Sequence, residues 1–101
     1  MTSEAAWKIE EARQSQELCD AIQSVINEHG LRLKSEGRVP IMNAVASALV
    51  SVQGGMLAAI EDPRHRKALR NAMERNLPRA IAQMMGRSGK AEVFNIRGPK
   101  Q

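Results

Sequence analysis

The sequence predicts an all-α protein, a small hairpin or bundle of three to four helices, and three observations carry that expectation. Apolar residues recur at steps of three and four along most of the chain, the period of one helix face. Residues 41–60 contain no charged side chain. Aromatic residues are nearly missing, with one Trp, one Phe and no Tyr, whereas a sheet of this size recruits more β-branched and aromatic residues. The core is therefore expected to be aliphatic and sulfur-containing, drawn from Leu, Ile, Val, Ala and six Met.

The first helix is expected to start at Ser3, whose hydroxyl suits the orphan amides of a first turn, with Glu4 favouring the positive end of the dipole. Gly30 is its expected stop. Between them Ala5, Ile9, Ala12, Gln16, Cys19, Ile22 and Ile26 form a stripe, flanked by Leu18 and Val25. At about 1.5 Å per residue this helix is about 40 Å long, a length that favours a hairpin, a bundle or a dimer that covers the overhang. Leu31 to Pro40 reads as a connection, with Leu31 and Leu33 as a brief extended segment or a cap on the core.

The second helix is expected from Pro40 or Ile41 to Ile60. Ile41, Val45, Leu49, Val52, Met56 and Ile60 make one stripe, and Met42, Ala46, Val50 and Leu57 widen it. A helix apolar over so much of its girth is expected to be buried, the central helix of the fold. Ala44, Ala48, Ser51 and Gly55 line another edge, where small residues let a neighbouring backbone come close. The run is long enough to test as a membrane span. Asn43, Ser47, Ser51, Gln53, Gly54 and Gly55 oppose insertion, and basic residues lie on both sides of it, so a membrane role is not favoured.

Asp62 and Pro63 predict a third helix start, as N-cap and first helical residue. Leu69, Met73, Leu77, Ala80, Ile81, Met84 and Met85 supply its apolar stripe. Pro78 predicts a kink near Asn76, or a break into a third and a fourth helix. Gly86 ends the series. The domain plan is thus one helical domain over residues 1–86 and a flexible or partly extended basic tail over 87–101, with a short alternating stretch at 91–96.

The chain is 101 residues long and carries a formal charge of +4, distributed as a gradient. Residues 1–30 hold two basic and six acidic side chains, and residues 62–101 hold ten basic and three acidic ones. Either an acidic helix lies beside a basic one, or the basic end meets a polyanion. On the third helix Arg64, Lys67, Asn71, Arg75 and Arg79 fall along one side, with Arg66 and Arg70 beside them. Such a row neutralises phosphates without reading bases. Charged rows on helices are more often solvated faces or partners of acidic helices, and no helix-turn-helix spacing accompanies this one.

Other chemistry is sparse. Cys19 is the only cysteine, which excludes an internal disulfide and points to a reducing, cytoplasmic setting. It sits inside an apolar stripe and reads as a buried structural thiol, since no paired base accompanies it. Residues 1–11 contain acids and no apolar run of leader length, so a secretory signal is not expected. Arg outnumbers Lys ten to five, a bias that fits a GC-rich bacterial genome. His29, in the expected last turn of the first helix, and His65, in the first turn of the third, share no ligand spacing with Cys19 or Asp62, so no metal site is expected. Gly54-Gly55 and the Gly86 to Lys90 stretch lack the phosphate-loop pattern, and no cofactor is expected.

By elimination the sequence predicts a non-enzymatic helical interaction or assembly subunit, a homo-oligomer or the partner of another protein. The expected association surface comprises Ile9, Leu18 and Ile22 on the first helix and Val45, Leu49, Val52 and Met56 on the second. The rival is a nonspecific nucleic-acid-associated protein using Arg64, Arg66, Lys67, Arg70, Arg75 and Arg79. The apolar stripes exceed what three short helices need for mutual burial, and that surplus favours association.

Overall fold

The computed structural model describes residues 3–87, which form three α-helices: α1 (Glu4–Ser35), α2 (Met42–Ala58) and α3 (Pro63–Arg87). The protein is all-helical, with no strand among the described residues. The tail expected over residues 87–101 lies outside the described residues except for Arg87, the last residue of α3. The described chain falls into two compact units, residues 3–40 with α1 and residues 41–87 with α2 and α3.

In the first unit Ser3 caps α1 as expected, its Oγ accepting the Ala6 N–H at 3.1 Å. The helix does not stop at Gly30. It runs 32 residues to Ser35, about 48 Å at about 1.5 Å per residue, and Leu31 and Leu33 are helical rather than extended. Leu, Arg and Lys are good helix formers, and Arg32 and Lys34 sit at the negative end of the dipole. The left-handed residue that ends a helix falls instead at Gly37, φ 77°. There the Arg38 N–H donates to the Leu33 carbonyl at 2.9 Å and the Gly37 N–H to the Lys34 carbonyl at 3.0 Å, the two bonds of a Schellman motif. His29 accordingly lies a turn and a half inside the helix, with Arg32 Nη2 3.1 Å from its Nδ1. Cys19, expected to be buried, is half-buried. It shares the best-covered edge of α1 with Ile26, Gly30 and Leu33, of which only Gly30 is fully buried.

In the second unit α2 begins later than expected. Ile41 is its extended N-cap, without a side-chain cap bond, and Pro40 precedes the helix. Residues 59–62 connect α2 to α3. Asp62 caps α3 as predicted, Oδ1 accepting the Arg64 N–H at 2.9 Å, and Pro63 is the first helical residue. Pro78, by contrast, neither splits α3 nor ends it. A proline removes one donor from the ladder, and long helical segments on both sides keep the chain helical across the gap.

Burial departs most from the sequence reading. No residue of α2 is buried within one copy of the chain; Met42, Val45 and Leu57 are half-covered, and Val52 is 68% exposed. On α3, Ala72, Met73 and Met84 are half-buried, while Leu69, Leu77, Ile81 and Met85 are exposed. No described side chain is fully enclosed.

Two substitutions test this account of the backbone. Gly37→Ala places a Cβ at a left-handed position and is expected to destabilise the fold by about 1–2 kcal/mol, read by denaturant unfolding at fixed protein concentration. Pro78→Ala restores a ladder hydrogen bond and is expected to stabilise by about 2–3 kcal/mol, with a matching gain in helical circular dichroism.

Candidate interaction surfaces

The six cations singled out on α3 separate into three kinds. Arg66 turns back to the α2–α3 connection. Its Nε and Nη2 donate to the Ile60 carbonyl at 3.1 and 2.7 Å, and Nη2 reaches the Glu61 carbonyl at 3.4 Å. These carbonyls follow the C-terminus of α2, where a helix leaves acceptors unsatisfied and favours positive charge. Arg66 is therefore a clamp on the hairpin, a role with no signature in the sequence. Arg64 lies 3.6 Å from half-buried Asp62 and Arg70 lies 3.8 Å from exposed Glu74, surface pairs of the kind worth at most about 1 kcal/mol. Lys67, Arg75 and Arg79 are exposed and have no ion-pair partner among the described residues. Helical geometry keeps Arg64, Lys67, Arg75 and Arg79 on one side of α3, away from half-buried Met73 and Met84.

The expected association residues do not form one patch. On α2 Val45, Leu49, Val52 and Met56 share an edge at steps of four, three and four. Val50 and Leu57, about a third of a turn away, line a groove against α3 instead. On α1 Leu18 stands beside Ile22 but half a turn from Ile9, since nine residues advance a helix by about 900°. Leu18 shares its edge with Trp7 and Val25, both within about 20° of it. All three are exposed, Trp7 at 67%, and Glu10, Glu17 and Glu28 follow one another along the flank of this ridge. Glu10 is engaged locally, 3.4 Å from Arg13 and accepting from Gln14 at 2.9 Å.

The groove between α2 and α3 is the feature that sequence reasoning missed. Val50, Gln53, Gly54, Leu57, Met73 and Leu77 line it, with Arg70 and Glu74 on its rim, around a volume of about 310 Å³. A second depression continues it past Leu57 and Arg70 to Pro63, Arg66 and Lys67. The periodicity of each helix identifies apolar faces, but which edges meet depends on how the pair is rotated. No signal in one sequence gives that rotation.

Among the described residues no group of three or more His, Cys, Asp or Glu is placed to hold a metal ion, and no helix is long and apolar enough to cross a membrane. Compared with known protein families, curated proteins and solved structures, the chain matches none.

The Arg66 clamp generates a direct test. Arg66→Gln loses the paired donation to Ile60 and is expected to destabilise the hairpin by about 1–2 kcal/mol, whereas Arg75→Gln is expected to change stability by less than about 0.5 kcal/mol. Parallel urea titrations of the two variants compare them.

Proposed function

We propose that the chain is a helical interaction or assembly subunit that associates with copies of itself, without catalysis of its own. The observation that carries this reading is the exposure of α2, a helix with no charged residue and no buried one. Burial of apolar surface is worth about 25 cal/mol per Å², so an uncharged helix left in water forgoes a large stabilisation that a second copy supplies. Gly54 and Gly55 support the same reading. Each costs a helix interior about 1 kcal/mol relative to alanine, and a Cβ at either position meets nothing within 4 Å, so packing against the described residues does not account for them. The edge of Val45, Leu49, Val52 and Met56 is the proposed centre of contact. A bacterial, cytoplasmic setting belongs to this proposal and rests on the arginine bias and the single cysteine.

A second reading, nonspecific polyanion binding, is supported by Lys67, Arg75 and Arg79, which have no ion-pair partner among the described residues. It predicts binding of a labelled nucleic-acid duplex that weakens steeply with salt, and the absence of binding at low salt overturns it.

Sedimentation across the micromolar range tests the main reading. A concentration-dependent oligomer is expected, and Val52→Asp is expected to weaken it about a hundredfold by burying a carboxylate in the contact. A wild-type chain that stays monomeric throughout overturns the proposal.

A further inference from the structure

We propose that the α2–α3 groove seats the Trp7–Leu18–Val25 ridge of α1 from a second copy of the chain, with Glu10 and Glu17 of the ridge facing Lys67 and Arg70 of the groove. This rests on the self-association reading and specifies its geometry. Each half presents apolar side chains together with charge, and the charges are opposite. The ridge carries Glu10, Glu17 and Glu28 along one flank and Glu11 in line with Leu18, and the groove carries Lys67 and Arg70 on its α3 rim.

Charge complementarity selects the occupant. Residues 1–30 are net acidic and residues 62–101 net basic, yet every ion pair among the described residues joins side chains no more than four positions apart. Glu17 and Lys67 have no ion-pair partner among them. Glu74 is the one acidic group on the groove rim, and it already lies against Arg70 at 3.8 Å. Lengths agree as well: Pro63 to Leu77 spans about 21 Å of α3 and Trp7 to Val25 about 27 Å of α1. Trp7 and Leu18 on the ridge, and Val50 and Leu77 on the groove, are each more than half exposed, so each surface is open to a partner. Exchange of ridges between two copies fills both grooves and closes a two-fold dimer. It leaves the Leu49–Val52–Met56 edge of α2 for the central contact.

A charge-swap experiment on the full chain tests the seating. Glu10→Lys with Glu17→Lys, and separately Lys67→Glu with Arg70→Glu, are each expected to weaken the homodimer about tenfold, because like charges then face each other in both grooves. An equimolar mixture is expected to restore a 1:1 heterodimer, since acid meets base in both grooves again. Trp7 is the only tryptophan, so its fluorescence reports directly: emission is expected to be blue-shifted in the dimer and to move red on dilution. Circular dichroism checks that each variant is helical; where a reversed variant loses helix, the Gln-neutralised pair replaces it, with a smaller weakening expected. A dimer unaffected by either reversal, or one whose tryptophan stays water-like, overturns the seating and leaves self-association standing. A wild-type monomer at all concentrations overturns both. A Lys67/Arg70-dependent complex with duplex DNA, with oligomer mass unchanged by the reversal, assigns these cations to a polyanion and overturns the seating.

Discussion

An uncharged helix in water needs more cover than one neighbour can provide, and this constraint governs the second unit of the protein. α2 packs one side against α3, through Leu57 and its neighbours, and presents Leu49, Val52 and Met56 elsewhere on its circumference. A helix offers about a third of its surface to each packed neighbour. A sequence apolar over most of its girth therefore calls for more than one, and the described residues of the second unit supply only α3. The self-association proposed here follows from that geometric shortfall rather than from any motif.

The polar devices in the structure are concentrated where helices end. Ser3 and Asp62 cap the starts of α1 and α3, Gly37 turns the chain at the end of α1, and Arg66 gathers the carbonyls that follow α2. Each satisfies backbone groups that a terminus leaves without an intrahelical partner. These contacts are local, so they define the lengths and joints of the helices without enclosing a core. The helices are thus specified one by one, and what encloses their apolar faces is a separate question of packing.

Electrostatics adds direction to an otherwise undirected apolar surface. Burial rewards any covered area equally, whereas opposite charges along two strips reward one register and penalise others. An acidic ridge and a basic-rimmed groove in the same chain amount to a self-complementary pair, and self-complementarity is what a closed two-fold assembly requires. The surface pairs Arg64–Asp62 and Arg70–Glu74 add little stability of their own. Their cations remain free to respond to a stronger nearby acid.

Local sequence alone determined that the chain is helical, where α3 begins and how α1 begins, because capping and periodicity depend on residues within a turn of one another. It misplaced the end of α1, because Gly30 and Gly37 offer the same chemistry and only the path of the chain decides which adopts the left-handed turn. Of its two alternatives for Pro78, the break into a third and a fourth helix does not occur, because the helix on either side outweighs the lost hydrogen bond. Tertiary structure decided the rest: Val50 and Leu57 facing α3 while Leu49 and Val52 do not, and Arg66 clamping a loop instead of lining a basic row. Both depend on how α2 and α3 meet across their connection, because the rotation of each helix about its axis is set by packing between helices and not by the period of either one.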